Sequence, residues 1–347
     1  MFGLNFSSKV GIDLGTANVL VYKKGEGIVL QEPSVVAIDE NKNKPLAVGE
    51  EARRMLGRTP GNIVSTRPLK NGVIADFEVT EIMLKRFISK VTKRRPFFKP
   101  EIMVCIPVGI TEVERRAVEE ATSQVGASKT YLIEEALAAA IGAGLPVAEP
   151  SGSMIIDIGG GTSEIAVISL GGIVVSESLR LGGDTLDEDI VRFVRENYNM
   201  VIGTSTAEEL KFEIGSALIE EDEEEKTYEI RGRDLMSGLP QNQIIRAGEL
   251  QKAMAETIES IVEAVRSVLE RTPPELSSDI MDRGVLMTGG GSLLDNMEKL
   301  LSEETGVPVC RAEDPLTCVA RGTGQALEEM DELQDIIFEK EKKSYQQ

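Results

Sequence analysis

Two stretches of this chain are built alike. Val10-Gly11-Ile12-Asp13-Leu14-Gly15-Thr16-Ala17-Asn18-Val19-Leu20-Val21-Tyr22 and Met154-Ile155-Ile156-Asp157-Ile158-Gly159-Gly160-Gly161-Thr162-Ser163-Glu164-Ile165-Ala166-Val167-Ile168 each pass from a short apolar strand through an Asp and a glycine turn with Thr into a second apolar strand. Each then reaches another glycine turn, Gly25-Glu26-Gly27 or Gly171-Gly172, and a third strand, Ile28-Val29-Leu30 or Ile173-Val174-Val175. The pattern predicts a three-stranded meander at the head of each half.

Helical periodicity and further strands follow each meander, which makes the expected fold an α/β duplication. In the first half, Val79 to Val91 places Ile82, Met83, Phe87, Ile88 and Val91 near one face; Met103 to Pro107 is a buried strand and Glu112 to Val125 a second helix. In the second half Thr185 to Tyr198, Ala207 to Ala217 and Ile258 to Leu269 are helical, and the strand Val285 to Thr288 runs into Gly289-Gly290-Gly291. Two small-residue stretches, Glu135 to Gly144 and Val319 to Ala326, suit a close helix pair between the halves. Gly142, Gly144, Gly322 and Gly324 are either yielding points of that pair or simply its packing surface.

With 347 residues, 41% hydrophobic and 28% charged, the chain has the length of about two domains. It has no apolar run near the roughly 18 residues of a membrane span and no secretory leader pattern, so a cytosolic location is expected. Cys105, Cys310 and Cys318 are widely spaced in apolar runs, which favours buried thiols over disulfides. A net charge of −20 argues against nucleic-acid binding through a general basic surface. The chain has no histidine, which removes Ser-His-Asp and Cys-His catalysis and His-based zinc sites.

Glycine turns let backbone N–H groups reach phosphate oxygens. Gly15, Gly159, Gly160 and Gly161 supply that access, and Thr16 and Thr162 add hydroxyls. Asp13 and Asp157 would face phosphates only across a cation, for which Mg²⁺, held mainly through water, is suited. Two hairpins with glycine at positive φ need no ligand, but the turn occurs twice in matching context, with a third glycine turn at Gly289. Neither G-x-x-x-x-G-K-[ST] nor a strand-linked G-x-G-x-x-G is present, so P-loop and Rossmann binding are unsupported.

These turns resemble those of the actin, heat-shock chaperone and sugar-kinase superfamily, and the chain is most similar to MreB, the bacterial actin family that directs cell shape. Gly57-Arg58-Thr59-Pro60, Arg67-Pro68, Gly72-Val73-Ile74-Ala75-Asp76-Phe77, Glu134-Glu135, Thr272-Pro273-Pro274-Glu275-Leu276 and Thr288-Gly289-Gly290-Gly291 extend the resemblance over nearly the whole chain. It implies a duplicated actin-like (ribonuclease H-like) α/β fold of four subdomains around a nucleotide cleft. The two large subdomains would be 1–31 with 68–144 and 321–347, and 145–180 with 245–320; the small ones would be 32–67 and 181–244.

The resemblance further implies that Thr16, Ala17 and Asn18 form the first phosphate turn and Gly159 to Thr162 the second. Glu208-Glu209-Leu210-Lys211 would contact adenosine, with Glu208 and Lys211 reaching the ribose, and Gly289, Gly290, Gly291 and Ser292 would close over the nucleoside. Without the family context, Glu208 and Lys211 are an i,i+3 surface ion pair. Hydrolysis of ATP needs an oriented water, and family position assigns Glu135 to orient it and Thr162 to help hold it. Acidic residues at 134 and 135 also suit the start of a helix on dipole grounds alone. Three positions depart from the family: Ala136 stands for a usual Pro, Ser163 for a second Thr and Val19 for a Thr. The first would loosen Glu135 and makes turnover less predictable than binding.

Lys93-Arg94-Arg95-Pro96-Phe97-Phe98-Lys99 sets Phe97 and Phe98 in a basic loop, where the family uses an apolar loop to enter the bilayer. Burying both rings would contribute roughly 3–6 kcal/mol, and each nearby basic residue about 1 kcal/mol at an anionic surface. One loop binds weakly, and repetition along a filament makes attachment firm. Inward packing of the two rings is the alternative. Met1 to Phe6 would either add an apolar contact or fold back. Glu220 to Glu225 is expected to be a solvated loop, and Leu333, Ile336, Ile337 and Phe338 an amphipathic last helix on the first half.

The expected function is a slow, Mg²⁺-dependent ATPase that polymerises into paired filaments on the inner face of the cytoplasmic membrane. There, with membrane proteins of the elongation machinery, it would organise cell-wall synthesis and so determine cell shape, with no nucleic-acid partner. The rivals are a small-molecule kinase of the same superfamily and a heat-shock-type chaperone; for the latter, the 347 residues leave no room for a peptide-binding domain.

Overall fold

The computed structural model describes residues 8–39, 41–42, 44–92, 99–220 and 226–329. Its organising feature is one sheet drawn twice. In the first half the strands run in the order Gly27–Pro33, Asn18–Lys23, Lys9–Leu14, Glu101–Ile106, Lys129–Glu134; in the second the order is Gly172–Leu179, Ser163–Ser169, Ser153–Ile158, Val285–Thr288, Val309–Arg311. Each sheet is an antiparallel meander extended by two parallel strands. The apolar runs explain this: the central strand Ser153–Ile158 is buried throughout, as a strand covered on both faces must be.

Between the sheets lie two helices, Glu135–Gly142 and Cys318–Glu328. Met103 and Cys105 of the first sheet and Ile155, Ala166 and Ile168 of the second share one core with Ala136, Ala138, Ala139 and Ala140. The helices meet backbone to backbone. A Cβ on Gly142 would lie 1.9 Å from the Cys318 carbonyl oxygen, and one on Gly322 1.7 Å from that of Ala138. Gly324 turns instead to the first sheet, where a Cβ would lie 2.0 Å from the Tyr22 ring.

The insertions build smaller sheets. Lys44–Val48, Val36–Asp39 and Ile63–Thr66 form one within the first half, and Met200–Val201, Thr227–Asp234 and Pro240–Arg246 form one within the second. The helix Phe77–Val91 starts where the Asp76 side chain accepts the Val79 N–H, and it buries Val79, Thr80, Met83, Leu84, Phe87 and Ile88. Its apolar face is therefore rotated from the expected one, and Ile82 and Val91 are only partly buried. The helix expected over Ile258 to Leu269 extends over Ala247–Arg271, because Ala247, Leu250 and Met254 continue its buried stripe. Cys105 and Cys318 are buried free thiols, while Cys310, on the edge strand Val309–Arg311, is exposed, contrary to expectation. Among the described residues no helix is long and apolar enough to cross a membrane. Phe97 and Phe98, Met1 to Phe6 and Leu333 to Phe338 lie outside the described residues.

Candidate functional site

The C-terminal ends of the two central strands point into one cleft of about 360 Å³. Asp13 and Asp157 are each the last residue but one of those strands, and each is followed by a turn that returns in register: Asp13 pairs with Leu20 and Asp157 with Glu164. The loops are thus equal in length, but their threonines are not equivalent. Counting from the aspartates, Thr16 matches Gly160, and Thr162 matches Asn18.

The two turns face each other at contact distance. A Cβ on Gly160 would lie 2.7 Å from the Ala17 Cβ, and one on Gly161 2.5 Å from the Thr16 Oγ1. Only glycine allows this approach. The second turn is backed by the helix Gly183–Tyr198, whose Gly183 and Asp184 N–H groups donate to the Gly159 and Gly160 carbonyls at 3.0 and 2.8 Å. The positive end of that helix therefore adds to the field where an anion would sit.

A third piece enters from a hairpin, Leu69–Lys70 with Val73–Ile74, turned by Asn71 (φ 51°) and Gly72 (φ 75°). The Gly72 N–H donates to the Thr16 hydroxyl oxygen at 3.0 Å, and a Cβ there would lie 2.5 Å from the Thr162 methyl. The hairpin tip thus touches both turns. Its signal in the sequence is the Asn-Gly dipeptide, a strong mark of a two-residue hairpin loop.

Of the residues expected at the site, Asp13, Gly15, Thr16, Ala17, Asn18, Glu135, Asp157, Gly159, Gly160, Gly161, Thr162, Glu208, Lys211, Gly289, Gly290 and Gly291 line the cleft. Three expected residues do not. Leu210 is in the hydrophobic core, Glu209 accepts the Tyr228 hydroxyl at 2.6 Å, and Ser292 is buried, its hydroxyl donating to the Gly289 carbonyl at 2.6 Å. Ser292 thus shapes the third turn rather than facing the cleft. Glu208 and Lys211 are not paired with each other. Glu208 accepts from Arg53 of the first half at 2.9 Å, and Lys211 pairs with Asp187 at 2.8 Å and donates to the Gly183 carbonyl at 2.8 Å. Arg53, Asp187, Phe212, Leu316 and Val319 also line the cleft and went unforeseen, because tertiary contacts alone bring them there.

The floor of the cleft concentrates negative charge. Burial, then the neighbouring Asp157, pushes Asp13 up to about 7, against the Cys105 thiol that donates to it at 3.4 Å. Burial pushes Asp157 up to about 6, against the Thr288 hydroxyl that donates to it at 2.7 Å. Glu135 is held well above the usual carboxylate range by burial and by Glu164, Asp13 and Asp157. Among the described residues, no lysine or arginine shifts these three groups. Among the described residues no three acidic or thiol side chains stand close enough to chelate a metal directly, so a hard divalent cation in the cleft would be held by Asp13 and Asp157 mainly through water.

A family model described as MreB/Mbl protein matches residues 7–335. The chain belongs to the MreB/Mbl family. The cell shape-determining protein Mbl of Bacillus subtilis (strain 168) is 54% identical over 328 residues, 94% of this chain and 98% of that protein. The cell shape-determining protein MreB of Escherichia coli (strain K12) is 54% identical over 343 residues, 97% of this chain and 98% of that protein. Among solved structures, MreB5 of Spiroplasma citri bound to ADP superposes with a TM-score of 0.88 at 38% identity, covering 94% of this chain and 98% of that one; the same protein bound to AMPPNP gives the same values. The fold of this MreB/Mbl chain is actin-like.

Proposed function

We propose that this chain is a cell-shape-determining, actin-like filament protein that binds ATP with Mg²⁺ in the cleft and hydrolyses it slowly. The observation that carries the reading is the pair of glycine turns, one from each half, that meet at contact distance over a shared carboxylate floor. ATP held there joins the halves, and loss of its terminal phosphate removes part of the bridge. The nucleotides named for the related MreB5 structures, ADP and AMPPNP, support it. The names of the curated relatives favour cell shape over the rival small-molecule kinase.

Bound Mg²⁺ supplies neutralisation of phosphate charge, and Asp13 and Asp157 would hold it mainly through water. The turn amides bind phosphate oxygens, Thr16 and Thr162 add hydroxyls, and Gly289, Gly290 and Gly291 cover the nucleoside. Glu208 and Lys211 face the ribose. Glu135, from the first half, orients the attacking water, and Thr162, from the second, helps to hold it. The same reading takes 32–67 and 181–244 as the small subdomains of a four-subdomain division, and the small sheets inserted into each half support it.

Assembly into paired filaments on the inner face of the cytoplasmic membrane, with Phe97 and Phe98 as the bilayer contact and membrane proteins of the elongation machinery as partners, belongs to the same proposal. Electron microscopy of the protein with Mg²⁺-ATP, with and without anionic liposomes, tests it. Filaments that form with ATP and line the liposomes are expected. Folded protein that stays monomeric under every condition overturns the reading.

A further inference from the structure

The strands that return from the two phosphate turns differ at one register position. Opposite Asp13 stands Leu20, and opposite Asp157 stands Glu164. Glu164 is 0% exposed, and the hydrolysis scheme above gives it no part. Its Oε1 accepts the Ser178 hydroxyl at 2.6 Å, and its Oε2 accepts the Val108 backbone N–H at 3.1 Å. The first bond stays within the second half; the second crosses to the first, where Val108 follows the strand Glu101–Ile106. Burial pushes Glu164 up to about 8, the two hydrogen bonds oppose the shift, and Asp157 and Glu134 add to it. A buried carboxyl without a cation is unfavourable unless its bonds matter to the structure or the chemistry.

The chain paths from this bond to the reacting groups are short. Glu164 lies two residues beyond Thr162 on one backbone. Val108 lies two residues beyond Ile106, whose strand partner is Glu134, the neighbour of Glu135. The Glu164–Val108 bond therefore ties the backbone that carries Thr162 to the sheet edge that carries Glu135. In-line attack needs these two groups, from different halves, held to a fraction of an ångström. We propose that Glu164 is a positioning residue: through the Val108 N–H it fixes the spacing of Glu135 and Thr162 and so sets how productively the two halves close on the terminal phosphate. The proposal rests on the hydrolysis reading. Leu20, at the matching place in the first half, has no acceptor, so the tie is built once.

The test compares two variants of the full chain with Mg²⁺-ATP. Glu164→Gln keeps an acceptor for Val108 and a polar group for Ser178, whereas Glu164→Ala keeps neither. Glu164→Ala is expected to lower kcat about tenfold with nucleotide affinity within about twofold, and Glu164→Gln to return kcat to within about twofold of the unmodified chain. Unchanged kcat in folded Glu164→Ala overturns the proposal. Equal loss in both variants also overturns it, because charge rather than the tie would then matter. Should Glu164→Ala fail to fold, hydrogen exchange at the Val108 amide of the unmodified chain decides: slower exchange with AMPPNP than with ADP is expected, and equal exchange overturns the proposal. An unmodified chain with no ATP turnover, but with Val108 exchange that still depends on the nucleotide, defeats the hydrolysis reading and leaves the tie in place.

Discussion

The two halves place the same residue at the same point of the same sheet and give it different neighbours. Asp13 and Asp157 each sit beside the parallel strand that follows the meander, but that strand offers a thiol, Cys105, in the first half and a hydroxyl, Thr288, in the second. The hydroxyl is the closer and stronger donor, and Asp157 stands at about 6 where Asp13 stands at about 7. Part of the difference is mutual, since the charge of Asp157 raises Asp13. Duplication thus fixes where the carboxylates stand and leaves their acidity to single neighbouring side chains.

The largest expected effect separates the halves by chemistry. On the proposed hydrolysis scheme, Glu135→Ala would take the first half's carboxylate away from the attacking water and should slow phosphate release about 10²-fold or more, with ATP binding nearly unchanged. Thr162→Ala removes only a hydroxyl of the second half and should cost about tenfold. Single-turnover phosphate release, with nucleotide affinity measured separately, checks both. Equal losses would mean that the two groups act as one unit, and unaltered hydrolysis in Glu135→Ala would remove it from the water-positioning role.

This contrast also shows where sequence legibility ends. The meanders, the aspartates and the glycine turns are local patterns of strand and turn chemistry, so residues 10–22 and 154–168 announce the duplication and the two turns that face the cleft. Cys105 and Thr288 reach the aspartates from neighbouring strands, Val108 reaches Glu164 by a hydrogen bond from the segment after its strand, and Arg53 meets Glu208 only across the cleft. Spacing along the chain carries no trace of such meetings. Leu210 shows the opposite failure: the sequence run Glu208 to Lys211 reads as one contact, but helical geometry sends Leu210 to the core while Glu208 and Lys211 face the cleft.

The second expected effect is on pH dependence. An acid whose folded pKa exceeds its unfolded value binds its proton more tightly when folded, so its stabilisation is complete below about pH 4 and is lost as pH rises through the folded value. For Asp157 and Asp187 that value is about 6, and for Asp13 about 7. Metal-free, nucleotide-free protein should therefore lose stability steadily as pH rises from 5 to 8, with Glu164, pushed up to about 8, extending the loss to the top of that range, and Mg²⁺-nucleotide should flatten the slope. Denaturant titrations across that range measure it. Asp13→Asn should reduce the slope up to about pH 7 and Asp157→Asn up to about pH 6, the latter also lowering Asp13 by removing the charge beside it; identical slopes in the two variants would erase the distinction between the halves.

A smaller effect compares two glycines of similar backbone geometry. A Cβ on Gly72 (φ 75°) would meet Thr162, whereas one on Gly25 (φ 76°) would have open space around it. Gly25→Ala should cost about 1 kcal/mol for the positive φ alone, and Gly72→Ala about 1–3 kcal/mol with a loss of ATP turnover, because the new methyl meets Thr162. Thermal melts and turnover assays separate strain from disturbance of the site, and a Gly72→Ala variant with full turnover would detach the hairpin tip from the chemistry.

The smallest effect addresses the opening contrast directly, by exchanging the donors. Cys105→Ser gives Asp13 a hydroxyl neighbour like the one beside Asp157, and Thr288→Cys gives Asp157 a thiol like the one beside Asp13. If donor strength separates the two acids, the first swap lowers the titration midpoint of Asp13 and the second raises that of Asp157, each by up to about one pKa unit, or about 1.4 kcal/mol. Carboxyl NMR shifts of the metal-free protein follow each aspartate separately. The second swap carries a further consequence: because the charge of Asp157 holds Asp13 up, keeping Asp157 protonated to higher pH should let Asp13 ionise earlier. The two midpoints would then approach each other from both sides. Midpoints that stay fixed in both variants would assign the difference between the halves to burial alone, with Cys105 and Thr288 as bystanders.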